Sequence, residues 1–148
     1  ATVARTYRKA IDDYLKDPKL YEANMEWYKE EIGKCTYREF TTGFYFGKPG
    51  SDTQIHDSST YVKNYTYLGT VEETDGRGFG RIEQKNKFSV GETIEIMKPD
   101  GRNVEVTVKG IFREDGESQE SAPHPQQVLF IDLDGQAEPY DILRKRED

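Results

Sequence analysis

Two hydrophobic rhythms divide the chain. Over residues 2–16 the apolar side chains Val3, Tyr7, Ile11 and Tyr14 recur at helical spacing, which lines them along one face of an amphipathic helix. Asp17-Pro18 closes that helix and opens another: Asp17 can accept from free N–H groups, and proline fits the first helical position because its missing N–H is unused there. The second helix carries Tyr21, Met25, Tyr28 and Ile32 on one stripe with Trp27 beside it, and Gly33 is expected to end it in the left-handed conformation. Two helices alone cannot bury these rings, so they are expected to pack on the remainder of the chain or on another part of a larger protein. Thr36 and Glu39 have capping-box spacing. Beyond them Phe40, Phe44, Tyr45 and Phe46, broken by Gly43 and Gly47, read as an aromatic arm lying on a core, with a stacking platform as the alternative. Residues 48–60 are polar and turn-rich, as in an exposed loop.

From residue 63 the period falls to two. YTYLGTVEE, FGRIEQKNKF, ETIEIMK, NVEVTVKGIF, QVLFIDL and YDILRK each read as a strand. Pro99-Asp100-Gly101 and EDGE mark turns. Gly110 interrupts the alternation after Val104, Val106 and Val108, which predicts a bulge there. About six closely spaced strands with no helix between them favour a small closed antiparallel β-barrel, because closure removes exposed edges. The predicted fold is therefore mainly β with an N-terminal helical segment: a helical linker over 1–35, an aromatic arm and loop over 36–62, and the barrel over 63–148.

Charge narrows the partners. The net charge is −7, which disfavours a whole-surface attraction to nucleic acid. Residues 63–113 nevertheless hold nine basic and eight acidic residues, whereas 114–148 hold three and ten. A local basic face on the middle segment is compatible with that distribution. No apolar run approaches a membrane span, no signal segment precedes the first helix, and the lone Cys35 fits a reducing cytoplasm. A chain opening on Ala1 fits a processed form or a piece of something longer.

Chemistry-bearing motifs are sparse. GRGFG at 76–80 lacks the helix and Lys-Ser/Thr pair of a phosphate loop, and Arg81 stands where an RNA-recognition strand needs its next aromatic, so a β-turn is the better reading. Cys35, His56 and His124 are too scattered for a structural metal site, and no nucleophile motif accompanies His124. His124 lies between Pro123 and Pro125, which stiffen the backbone into a bracket feeding a strand. Lys85, Asn86 and Lys87 precede the inward-facing Phe88. With Arg81 they make a polar lip suited to an anionic or peptide-like partner. The candidate substrate-binding residues are thus Arg81, Lys85, Asn86, Lys87, His124, Gln126 and Gln127. No catalytic residue, metal or cofactor is assigned.

YREFTTGFYFG, YLGTV, KNKFSVGETIEIMKPDG, APHPQQ and the final DILR together resemble the C-terminal region of the U32 peptidase family, the collagenase-like peptidases, and YRKAIDDY resembles the segment joining their first domain to the last. The resemblance implies an accessory barrel similar to the second domain of elongation factor Tu. It also implies an N-terminal α/β barrel, absent here, that carries the cysteine-bearing signature and the reaction. APHPQQ and KNKF are implied to be family-typical elements of the accessory barrel. The leading expectation is a non-catalytic domain that positions a protein or peptide substrate for that catalytic domain. The alternative is a barrel that presents transfer or ribosomal RNA to a U32-type hydroxylating domain, Lys and Arg of the middle segment meeting phosphate and a Tyr or Phe stacking on a base.

Overall fold

In the computed structural model, which describes residues 1–36, 44–48, 50, 63–75 and 77–147, both rhythms become real elements. Helix α1 spans Thr2–Lys16, α2 Pro18–Ala23 and α3 Met25–Gly33. Asp17 caps α2 as expected, its carboxylate accepting from Lys19 N at 3.0 Å. The second predicted helix is broken at Asn24. The break lets Asn24 Nδ2 and Tyr28 Oη both donate to Asp13 Oδ2, at 2.9 and 2.6 Å. Gly33 is not left-handed; α3 ends through Lys34 in the right-handed region. Glu39, Phe40 and His56 lie outside the described residues, and Phe44, Tyr45 and Phe46 are exposed rather than laid on a core.

The strands are β1 (Tyr65–Thr74), β2 (Phe79–Glu83), β3 (Phe88–Ser89), β4 (Thr93–Met97), β5 (Asn103–Thr107), β6 (Gly110–Arg113), β7 (Ser118–Gln119), β8 (Ser121–Ala122), β9 (Val128–Asp132) and β10 (Ile142–Arg146). Eight form one antiparallel sheet in the order β5-β4-β10-β1-β2-β9-β6-β7, and β3 pairs with β8 separately. All six predicted strand regions are present, two of them split. Leu68, Val71, Ile82, Phe88, Ile94, Ile96, Ile111, Leu129, Ile131 and Leu143 join one core. Each such apolar side chain stabilises the fold by about 1.5–3 kcal/mol.

The expected closed six-stranded barrel is corrected. The sheet is an open, curled half-barrel whose end strands, β5 and β7, share no ladder among the described residues. The cause lies at residues 108–110. Val108 is fully buried, and the chain then exchanges β4 for β9 as its partner: Lys109 N donates to Asp132 O at 3.0 Å, and Gly110 opposes Asp132. Gly110 thus marks a change of partner rather than a bulge. A Cβ there would stand 2.7 Å from the Phe112 ring, so any larger residue would push that ring aside. The register shifts fall instead in β1, between Tyr67 and Gly69 and between Val71 and Glu73; such irregularities bend a strand and increase its twist.

The helices attach to the outer side of β4 and β10 through charge. Glu31 of α3 is buried and accepts from Arg5 Nη2, from Arg144 Nη2 at 2.7 Å and from Asn103 Nδ2 at 2.9 Å. Arg144 also pairs with Glu95, and Lys34 reaches both carboxylates, Glu31 at 3.1 Å and Glu95 at 3.3 Å. Arg5 Nη1 donates to Lys98 O at 2.9 Å. Burial alone would raise the Glu31 carboxyl, but Arg144, Asn103 and Arg5 outweigh it and hold it below the ordinary range. The predicted apolar stripe of α1 is therefore reversed: Arg5, Thr6 and Asp13 face inward, while Val3, Tyr7, Ile11 and Tyr14 are exposed.

Candidate functional site

Strands β2 and β9 run together to the pair Glu83–Val128, and β3 meets β8 at the pair Phe88–Ala122. The intervening loops, 84–87 and 123–127, are consequently held face to face. Gln84 N donates to Gln127 O at 2.8 Å, and Gln126 N returns a bond to Gln84 O at 2.7 Å. The Gln84 side chain is fully buried and its Nε2 bridges Asn86 O, at 3.1 Å, and Ala122 O. One buried amide therefore pins both loops. No sequence motif marks Gln84; its signal is only that it stands at an inward position of the alternation after Ile82.

The exposed edge of these loops carries Lys85, Asn86, Lys87, His124 and Gln126. Gln126 has φ 67°, a left-handed backbone that costs a non-glycine residue about 1–2 kcal/mol. The two carbonyl-amide bonds to Gln84 hold it there. Asn86 Nδ2 donates to Tyr67 O at 2.7 Å, fixing the tip of its loop to β1. Gln127 is half-buried and turned toward Gln119 Oε1, 3.4 Å away. Glu83 stands 2.5 Å from Lys85 Nζ and raises its pKa above the ordinary lysine value, whereas Lys87 makes no ion pair among the described residues. Six of the seven expected residues thus lie on these two loops, five of them at the exposed edge.

Arg81 is the exception. It projects from the outer face of β2, where Glu72, Glu73 and Glu114 surround it. Its charge is spent on neighbours. The same face bears a feature the motifs did not single out. Phe79, Phe112 and Phe130 are half-buried there, with Phe130 opposite both Arg81 and Phe112. The Phe79 and Phe112 rings meet edge to face at 5.4 Å, and the Arg77 guanidinium stands 5.3 Å from the Phe79 ring. They line a shallow cleft of about 440 Å³ with Arg113, Asp75 and Glu114. The legible signal was the period of two, which puts these rings opposite Ile82, Ile111 and Ile131.

Among the described residues no group of three His, Cys, Asp or Glu side chains is arranged to hold a metal, and no helix is long and apolar enough to cross a membrane.

Residues 63–144 match the model of the peptidase family U32 C-terminal domain. The chain belongs to peptidase family U32. Residues 1–55 match the family's other model, Peptidase family U32, so the helices and the β domain of this U32 chain fall under different models. Its relatives include tRNA hydroxylation protein P1 of Bacillus subtilis, 34% identical over 98% of this chain and 34% of that protein. Another is tRNA hydroxylation protein P of Escherichia coli, 29% identical over 88% of this chain and 28% of that protein. The chain thus spans about a third of the length of these relatives. Among solved structures it is similar to the C-terminal domain of a Geobacillus thermoleovorans protein assigned to the U32 peptidases, with TM-score 0.50 and 28% identity, covering 54% of this chain and 99% of that one.

Proposed function

We propose that the β domain is an RNA-binding accessory module that holds transfer RNA for the modifying region of a U32 protein. The observation that carries this reading is the 34% identity to a tRNA hydroxylation protein across 98% of the chain. The geometry supports it in two ways. The loop ledge offers Lys85, Lys87, Asn86, His124 and Gln126 on a backbone fixed by Gln84, so little ordering is needed on binding. The outer face of β2 then leads from that ledge to the Phe79, Phe112 and Phe130 rings. Six residues of strand separate Lys85 from Phe79, about 20 Å at 3.3 Å per residue, a span of a few nucleotides. Lysines would meet phosphate, and unpaired bases would stack on the rings, as in other single-strand sites.

Because Arg81 is neutralised and the net charge is −7, binding should rest on few phosphate contacts. Titration with transfer RNA should therefore show a shallow salt dependence, a log–log slope of about −1.5 to −2. The double variant Lys85→Gln, Lys87→Gln should flatten that slope, and Phe112→Ala should weaken binding without changing it. No binding at low salt, or a steep slope untouched by the lysine variant, would sink the reading. Saturable binding of a peptide at the same ledge would replace it with the peptidase alternative.

A further inference from the structure

The outward face of α1 is a cluster that the RNA reading does not use. Val3, Tyr7, Ile11, Tyr14 and Leu15 lie along it and are 47–76% exposed. They are large apolar side chains arranged contiguously on one helix, which is more than isolated surface residues require. The opposite side of the helix is not free to turn them inward. Arg5 is held by Glu31, Asn103 and the Lys98 carbonyl, and Asp13 by Lys9, Asn24 and Tyr28. Rotating α1 to bury the stripe would strand those charges. The helix is also continuous with the buried aromatics: Tyr14 packs edge-on to Tyr21, which stacks on Tyr28 at 5.6 Å. Its orientation is therefore fixed from within.

We infer that this face is the seat of the remaining U32 region, and that the helical segment is a rigid mount rather than a flexible linker. The occupant follows from two findings. Residues 1–55, which include all three helices, match the model Peptidase family U32, while the β domain matches a separate model. The relatives matched across nearly this whole chain are about three times as long. Helix α1 thus belongs by sequence to one unit and by its buried ion pairs to the other. One face is bonded to the β4–β5 turn through Arg5 and to α3, whose Glu31 in turn meets Arg144 of β10; the other completes an apolar core that this chain does not contain. The β domain, with its ledge and rings, would be held at one fixed orientation to the modifying region. This inference rests on family membership and does not depend on RNA being the ligand.

The test compares this chain alone with a full-length protein in which it replaces the matched segment of the Bacillus subtilis relative. In the isolated chain, Tyr7 and Tyr14 should be nitrated by tetranitromethane, and Ile11→Glu should leave Tm within about 1–2 °C. In the full-length protein both tyrosines should be shielded, and Ile11→Glu should lower Tm by about 5 °C or more. Equal labelling in the two, or equal Tm shifts, would overturn the mount. So would sedimentation of the isolated chain as a dimer that Tyr7→Glu disperses, because the occupant would then be a second copy. If the full-length protein fails to fold, the same Ile11→Glu comparison is made on the isolated chain mixed with the separately produced remainder. Co-elution lost at least tenfold on substitution supports the seat, and co-elution unaffected by it refutes it.

Discussion

The helical segment and the β domain are built in opposite senses. In the β domain, Leu68, Ile82, Ile96 and Leu143 point in, and the residues between them alternate outward, the phenylalanine cluster of β2, β6 and β9 among them. In α1 Arg5, Thr6 and Asp13 point in, and the apolar Val3, Tyr7, Ile11 and Tyr14 point out. The contrast shows what each interface is for. An apolar core is stable in any protein that folds it, because the hydrophobic effect has no direction. A buried ion cluster is stable only in one geometry, since desolvation is offset only when every partner is in place. The β domain is thus held together by burial, and the helices are held in a defined orientation by Glu31, Arg5, Arg144, Glu95 and Lys34.

The strongest way to break that contrast is Glu31→Ala. It leaves Arg5 and Arg144 buried beside one another with Glu95 as the main remaining acid, and removing one partner of a buried ion pair costs about 3–5 kcal/mol. The helices should loosen first, read as a red shift in Trp27 fluorescence and early proteolysis within 1–36, while hydrogen exchange in β2 and β9 is unchanged. Loss of sheet protection in step with the helices would show that the two regions are one cooperative unit. Leu143→Ala is the counterpart: a core truncation of about 2–5 kcal/mol that should lower protection throughout the sheet.

Acid should do reversibly what Glu31→Ala does by substitution. Burial acts to raise the Glu31 and Asp13 carboxyls, but arginine and asparagine partners for Glu31, and Lys9, Tyr28 and Asn24 for Asp13, hold both below their ordinary values. A carboxylate whose pKa is lowered by folding stabilises the fold above its unfolded pKa. That contribution fades as pH falls through the folded value. Helix attachment should therefore be intact above about pH 5 and weaken below about pH 4, with Trp27 fluorescence changing before sheet circular dichroism. Simultaneous loss of both signals would assign acid unfolding to the β domain instead.

Much of this organisation was written in the sequence, and the gaps have physical causes. Strand positions followed from alternation, and the turn after Met97 followed from Pro99-Asp100-Gly101, where Gly101 adopts φ 96°. The period of α1 gave a helix and its stripe, but period alone cannot say which side faces the protein. That depended on Arg5 and Arg144, residues more than a hundred positions apart, both meeting Glu31. Closure of the sheet was likewise beyond a local pattern, since it turned on the change of partner at Gly110. At the ledge, the two loops could be nominated from their residues, but the buried amide joining them could not.

Gln84→Ala tests that join. It leaves the Ala122 and Asn86 carbonyls without their side-chain donor, and an unsatisfied buried polar group costs about 1–3 kcal/mol. The effect should be local: faster hydrogen exchange at 84–88 and 122–127 and weaker RNA binding, with the helices and the α1 face unaffected. Gln84→Glu, which keeps the shape but removes the donors, should behave like alanine or worse. Wild-type exchange in either variant would mean the backbone pairs alone hold the ledge.

The smallest effect is expected at Arg81, the one anticipated site residue that stands apart from the ledge. Arg81 is ringed by Glu72, Glu73 and Glu114, all substantially exposed, and exposed ion pairs contribute only about 0–1 kcal/mol. Arg81→Gln should leave Tm nearly unchanged. Its effect on RNA decides between two pictures of the sheet face. If its charge is committed to the glutamates, the substitution removes no phosphate contact, so the salt slope should match wild type while Lys87→Gln lowers it. A drop in slope for Arg81→Gln equal to that for Lys87→Gln would instead mean that RNA displaces the three glutamates and follows the phenylalanine face along its whole length.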